Sequence, residues 1–211
     1  MNWSSLLGLV GELPVFSSAL LLAGDVSPEQ VRVQLDRWVK SGRLLQLRRG
    51  VYALAPPWRK VEPHPFVVAN ALQRGSYVSL QSALSYHGVI PEHVPVVTSV
   101  GPGRPETVRS PLGTFRFHRL APRLQFGYSR IEVKRGQLAF VAGAEKALLD
   151  LVQLTPGGDR QPYLAELRLQ NPDALNCDVL GKLADRSGKP KLKRAARTAA
   201  GLLAAEQGEL L

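Results

Sequence analysis

The chain has 211 residues, 45% of them hydrophobic, which is enough to form a core and excludes disorder throughout. Its 27 Lys and Arg residues outnumber its 17 Asp and Glu residues, giving a net charge of +10, so we expect a polyanionic partner. The single cysteine, Cys177, excludes an intrachain disulfide and a multi-cysteine zinc site. The first residues show no signal-peptide pattern, and no apolar stretch approaches the ~18 residues of a membrane span. We therefore expect a cytoplasmic protein that does not bind membranes.

The positive charge is concentrated near the two ends of the chain. Residues 1–60 carry eight bases against four acids, and residues 182–197 carry seven against one. The stretch 61–181 is nearly balanced, with twelve bases and ten acids. Four prolines between residues 56 and 65 form a stiff connector. We therefore predict two domains, 1–60 and 61–211.

The N-terminal domain is predicted to begin with three helices. Apolar spacing and turn residues indicate short helices over 2–11 and 17–23, the second of them ending at Gly24. A longer helix over 28–40 follows Ser27, which is a favourable N-cap because its hydroxyl can accept a hydrogen bond from a free backbone N–H.

The helix over 28–40 is amphipathic, and its polar face carries groups that suit the DNA major groove. Its apolar face is formed by Val31, Leu35, Trp38 and Val39. Glutamine can bind adenine, arginine can bind guanine, and a small apolar side chain can contact the thymine methyl group. Base-edge contacts are predicted for Gln30, Val33, Gln34 and Arg37, with Lys40 on the same face.

A β-hairpin with a basic tip follows this helix. Strands are predicted over 43–47 and 51–54, joined by a turn at residues 48–50. A winged helix-turn-helix has the same order of elements, helices followed by a β-hairpin. That hairpin, called the wing, reaches the DNA backbone or minor groove. Phosphate contacts, which position a protein without specifying sequence, are predicted for Arg43, Arg48 and Arg49. The alternative is a small α+β subdomain with a solvated basic face.

Residues 61–211 are predicted to form a mixed α/β domain with short antiparallel strands and C-terminal helices. Helices are indicated over 65–72 and 143–154, and hairpins are indicated by the turns at 111–113 and 134–136. The fold class of the whole chain is therefore α+β.

The segment LRRGVYAL after a capped helix resembles the N-terminal domain of AbiEi-type antitoxins of type IV toxin–antitoxin systems. ALSYHGVIPE and FVAGAEKALLDLV are similar to stretches of that family's antitoxin core, and the chain from residue 180 onward is similar to its closing helices. The stretch around 155–175 is shorter than in longer members.

This resemblance implies a repressor that binds inverted repeats of double-stranded DNA upstream of its own operon. An inverted repeat has room for two copies of the protein, and the sequence leaves the oligomeric state open. It also implies an antitoxin domain that counters a nucleotidyltransferase-like toxin, directly or indirectly.

No catalytic set emerges from the residue spacing, and we expect neither an enzyme nor a cofactor. His87 and His93 are six residues apart across a turn, which does not suit a metal site, and His87 is predicted to bond carbonyls at the end of its helix. Lys146 lies four residues before Asp150 and is predicted to form a surface ion pair with it.

The C-terminal helix combines an apolar stripe with an auxiliary basic patch. The stripe consists of Leu192, Ala196, Ala199 and Leu203. The patch consists of Lys191, Lys193, Arg194 and Arg197. Either this patch is a solvated surface, or it contacts phosphate or an acidic partner.

Three alternatives to the antitoxin hypothesis remain open. The first is a stand-alone winged-helix regulator whose second domain senses a ligand or partner. The others are a nuclease subunit targeted by the winged domain and an RNA-associated basic protein.

Overall fold

The computed structural model of this protein describes residues 1–22, 26–92, 94–171 and 174–209, with side chains described to residue 205. It contains both helices and strands, which confirms the predicted α+β class. The helices are α1 (Trp3–Val10), α2 (Pro28–Lys40), α3 (Pro65–Leu72), α4 (Leu80–Tyr86), α5 (Ala144–Leu154), α6 (Gln161–Glu166), α7 (Cys177–Ser187) and α8 (Pro190–Glu209). The strands are β1 (Phe16–Ser17), β2 (Leu44–Arg48), β3 (Val51–Leu54), β4 (Tyr77–Val78), β5 (Val96–Gly101), β6 (Glu106–Ser110), β7 (Gly113–Arg119), β8 (Tyr128–Lys134) and β9 (Gln137–Ala142).

The N-terminal elements include a three-stranded sheet of order β1-β3-β2. The predicted helix over 17–23 is wrong at its start, because Ser17 lies in β1, which pairs antiparallel with β3. This pairing extends the backbone, and only a five-residue 3₁₀ turn, Ser18–Leu22, follows. Gly24, predicted to end that helix, lies outside the described residues.

The N-terminal elements enclose a hydrophobic cluster of their own. Its buried members are Leu6, Val10, Phe16, Leu21, Val31, Leu35, Trp38, Leu44, Tyr52 and Leu54. Full burial of a large apolar side chain contributes about 1.5–3 kcal/mol relative to exposure. Leu47 and Ala53 of the β2–β3 hairpin pack into a second, larger cluster with residues from 66 onward. The hairpin thus touches both cores, and the domain boundary near residue 60 stays a prediction.

The larger cluster is built on a six-stranded sheet of order β6-β7-β5-β4-β9-β8. The pairs β5–β7 and β4–β9 are parallel, and the remaining pairs are antiparallel. Phe115 and Phe117 of β7 are buried and alternate with exposed Arg116. Strand β7 is therefore buried on one face and exposed on the other.

Helix α3 lies beside β9 and begins at a histidine cap. His64 Nδ1 accepts a hydrogen bond from the backbone N–H of Phe66 at 3.2 Å, and the backbone N–H of His64 donates to Gln137 Oε1 at 2.8 Å. Burial, together with the nearby charge of Lys134, lowers the pKa of His64. The imidazole is therefore favoured in the neutral form, which can accept the capping hydrogen bond.

Helices α7 and α8 pack against each other and against α5. The stripe predicted for the C-terminal helix is confirmed, because Leu192, Ala196, Ala199 and Leu203 are all buried. Helix α7 ends at Gly188, whose φ of 64° is the left-handed conformation favoured by glycine. Within the described ranges, no helix has the length and apolar character needed to cross a membrane.

Candidate nucleic-acid interface

Helix α2 is positioned by its cap and by one buried face. Ser27 Oγ accepts a hydrogen bond from the Gln30 backbone N–H at 3.5 Å, and Pro28 occupies the first helical turn. Both features follow the sequence prediction. Val31, Leu35 and Trp38 are buried in the N-terminal cluster, so the opposite face of α2 points outward.

That outward face brings together the four residues predicted to contact bases. Val33 is 42% exposed, which is high for a valine, and it stands among polar side chains. Gln30 and Arg37 are exposed, whereas Gln34 is half-buried. All four line a groove of about 530 Å³ that also includes Met1 and Val26. Glutamine, arginine and valine in one open groove are the chemical types that hydrogen-bond base edges and contact thymine methyl groups.

Lys40 lies on the same side of the helix but forms an ion pair. Its Nζ is 2.8 Å from Asp36 Oδ2, and both side chains are exposed. Exposed pairs at this spacing contribute only about 0.3–0.5 kcal/mol, so the contact with Asp36 can be exchanged for another anion at little cost.

The hairpin presents Arg49 at its tip. Gly50, with a φ of 81°, makes the turn between β2 and β3, a backbone conformation that glycine adopts without strain. Arg49 is exposed and lines a cleft of about 750 Å³ between α2 and the hairpin. Arg32 and Gln46 line the same cleft. Neither residue is predicted as a contact from the sequence. Arg32 lies to one side of the α2 face that carries the predicted base contacts.

Arg43 and Arg48, also predicted to contact phosphate, make contacts within the protein. The Arg43 guanidinium lies 5.4 Å from the ring centre of Trp3 and 5.9 Å from that of Trp58. Arg48 Nη1 donates to the backbone carbonyl of Leu72 at 2.6 Å and to Glu106 Oε1 at 3.0 Å. Of the three hairpin arginines, Arg49 is thus the one whose side chain is exposed, and the roles of the other two stay predictions.

The predicted auxiliary patch on α8 is largely tied to neighbouring groups. Lys191 Nζ donates to the carbonyl of Thr155 at 2.6 Å, and Lys193 Nζ lies 2.9 Å from Asp185 Oδ1. Arg194 donates to Asp159 Oδ2 through Nε and Nη2, at 2.9 and 2.7 Å. This contact with Arg194 lowers the pKa of the Asp159 carboxyl. Arg197 is exposed. These contacts hold α8 in place, and a ligand-binding role for the patch stays a prediction.

The prediction of a surface ion pair between Lys146 and Asp150 is wrong. Both side chains are buried, at 3% and 2% exposure, and Lys146 Nζ is paired with Asp150 Oδ1. Asp150 Oδ2 accepts hydrogen bonds from the hydroxyls of Tyr77, at 3.0 Å, and Ser79, at 2.8 Å. Tyr77 of β4 and Ser79 just after that strand thus cover this side of α5, and the pair lies in the core.

This cluster of buried polar groups is closed to solvent. Burial raises the pKa of Asp150, while Lys146 and the two hydroxyls oppose that change. Burial lowers the pKa of Lys146, and burial next to Asp150 raises that of Tyr77. Since Tyr77 and Ser79 are fully buried, the arrangement serves to join α5 to the sheet.

His87, one of the two histidines considered as metal ligands, is bonded to the sheet. His87 Nε2 donates to the carbonyl of Ala142 in β9 at 2.8 Å, so the predicted bond to carbonyls of its own helix is wrong. His93 lies outside the described residues. Among the residues that the structure does describe, no group of three or more His, Cys, Asp and Glu side chains could hold a metal ion.

A capped amphipathic helix beside a basic-tipped hairpin is compatible with a winged helix-turn-helix. Residues 25–55, which contain α2, β2 and β3, match a family described as transcriptional regulator, AbiEi antitoxin. The resemblance to that family is thus confirmed over this segment, and beyond residue 55 it stays a prediction. No curated protein matches the chain.

Proposed function

We propose that the protein is an antitoxin and a DNA-binding autorepressor of a type IV toxin–antitoxin operon. The observation that carries the proposal is the open face of α2 with Gln30, Val33 and Arg37, together with the cleft between α2 and the hairpin that Arg49 lines. This face lies inside the segment that matches antitoxin regulators.

In the proposed complex, α2 enters the major groove. Gln30, Val33, Gln34 and Arg37 contact base edges there, because the groove displays donors, acceptors and methyl groups that these side chains match. Arg49 contacts the backbone beside the groove and fixes the orientation of the helix. Residues 1–60 form the DNA-binding unit in this account, and two copies occupy an inverted repeat.

Residues 61–211 form the antitoxin unit in this proposal. The six-stranded sheet and helices α3 to α8 share one large hydrophobic cluster, to which Leu47 and Ala53 of the hairpin also contribute. We propose that this unit counters a nucleotidyltransferase-like toxin, and that the operator lies upstream of the protein's own coding sequence.

The division of roles between helix and hairpin can be tested with two single variants. We expect Arg37→Ala to weaken binding to the upstream duplex by about 1–3 kcal/mol and to relax preference at one base position. We expect Arg49→Ala to weaken binding to every sequence alike and to flatten the dependence of log K on log salt by about 0.9.

Fluorescence anisotropy titrations at several salt concentrations would measure both effects. Arg130→Ala is the matched control, because Arg130 is an exposed arginine on β8, at the edge of the sheet farthest from β6. If Arg37→Ala and Arg49→Ala change binding identically, the proposed division is wrong.

A further inference from the structure

The hairpin tip is fastened to the larger sheet by the Arg48 guanidinium. Leu72, whose carbonyl accepts from Arg48, is the last residue of α3, and carbonyls at a helix C-terminus lack partners within the helix. Arg48 therefore satisfies that helix end and places a positive charge at its negative pole. Its second partner, Glu106, is the first residue of β6.

A glutamine next to this contact joins two loops of the larger unit. Gln73 Nε2 donates to Glu106 Oε1 and to the carbonyl of Arg104, both at 3.2 Å. A Cβ atom added at Gly103 would lie 2.8 Å from the side chain of Gln73, so the loops are in close contact. The hairpin tip, the end of α3 and the start of β6 are thus connected through one set of hydrogen bonds, which we call the junction.

Three exposed arginines are adjacent in sequence to residues of the junction or supply one of its carbonyl groups. Arg49 directly follows Arg48, Arg74 directly follows Gln73, and Arg104 is bonded to Gln73 through its own carbonyl. Glu106, the acid of the junction, is already bonded to Arg48 and Gln73. In the part of the chain that the structure describes, none of the three exposed arginines is paired with a carboxylate.

Exposed cations at the hairpin tip and on the two loops joined to it, none of them paired with an acid among the described residues, favour an anionic ligand whose charges are spaced along a surface. A DNA backbone has this property, and arginine can bind a phosphate through two parallel hydrogen bonds. The junction fixes the two loops against the hairpin tip, so hydrogen bonds hold the backbones of Arg74 and Arg104 close to that tip.

We propose that Arg74 and Arg104 bind backbone phosphates next to those bound by Arg49, so that the DNA interface extends from the hairpin onto the larger unit. The inference rests on the proposed DNA-binding function and adds a second part of the chain to its surface. It also gives the larger unit a role in DNA binding, since its loops lengthen the contacted stretch of backbone.

The test compares two double variants of the full chain that remove the same charge. Arg74→Ala/Arg104→Ala changes the proposed contacts. Arg130→Ala/Arg135→Ala is the control, because both arginines are exposed on the β8–β9 hairpin at the opposite edge of the sheet. Each protein is titrated into the upstream duplex and a scrambled duplex at several salt concentrations, and far-UV circular dichroism verifies that each is folded.

We expect Arg74→Ala/Arg104→Ala to flatten the slope of log K against log salt by about 1.8, about 0.9 for each lost phosphate contact. The control should flatten it by less than half of that, and the preference between duplexes should be unchanged in both variants. An unchanged slope in Arg74→Ala/Arg104→Ala, or an equal change in the control, overturns the inference. The proposed function still stands in that case if the wild type prefers the upstream duplex. If the wild type binds both duplexes equally and the slope still falls by about 1.8, the sequence-specific function fails and the phosphate contacts stand.

Discussion

Replacing Asp150 with alanine is expected to lower the free energy of unfolding by about 3–5 kcal/mol. The substitution leaves the Lys146 ammonium buried without its counter-ion, at 3% side-chain exposure, and removes the acceptor of the Tyr77 and Ser79 hydroxyls. An unpaired charge and two unbonded hydroxyls in the core each carry a desolvation penalty. Urea denaturation followed by far-UV circular dichroism would measure the change.

The matched control is another lysine–aspartate pair, in which Asp185 is 73% exposed. Removing an exposed partner costs about 0–1 kcal/mol, so Asp185→Ala should be close to the wild type. If Asp150→Ala is also within about 1 kcal/mol of the wild type, the buried cluster does not stabilise the fold as proposed.

Replacing Trp38 with alanine is expected to lower the free energy of unfolding by about 3–5 kcal/mol, because it leaves a cavity beneath α2. Trp38 is 4% exposed, and its ring centre lies 5.2 Å from that of Trp3. Loss of this support should also weaken DNA binding, since the outer face of α2 depends on the helix being held in place.

Intrinsic fluorescence is a suitable measurement, because the three tryptophans of the chain, at positions 3, 38 and 58, are in one aromatic cluster. Trp58→Ala is the control, since Trp58 is 38% exposed at the edge of that cluster and leaves a smaller cavity. Equal destabilisation by Trp38→Ala and Trp58→Ala would contradict this prediction, because the loss of stability would then not depend on how deeply the tryptophan is buried.

Local sequence signals predicted the elements that form the candidate interface. The Ser27 cap, the apolar spacing of α2 and the glycine at the hairpin tip each act over a few residues, and all three are present in the structure. The short helix after residue 17 was predicted wrongly, because its first residue pairs with a strand more than thirty residues later.

Contacts distant in sequence account for what could not be predicted. Arg48 and Glu106 are bonded to each other but lie 58 positions apart in the sequence. The net charge of residues 61–181 is close to zero, and this balance concealed the exposed arginines Arg74 and Arg104. Lys146 and Asp150 have the spacing of an exposed helical pair, and the hydroxyl partners of Asp150 lie more than seventy residues before it.

Binding of the wild-type protein to its own upstream DNA tests the central claim most directly. Fluorescence anisotropy would compare that duplex with a scrambled duplex of equal length and composition, at several salt concentrations. The account predicts a preference of about 10³ or more for the upstream duplex, the range of sequence-specific DNA-binding proteins. Equal and steeply salt-dependent binding to both duplexes would contradict it, because the positive charge would then provide only non-specific attraction.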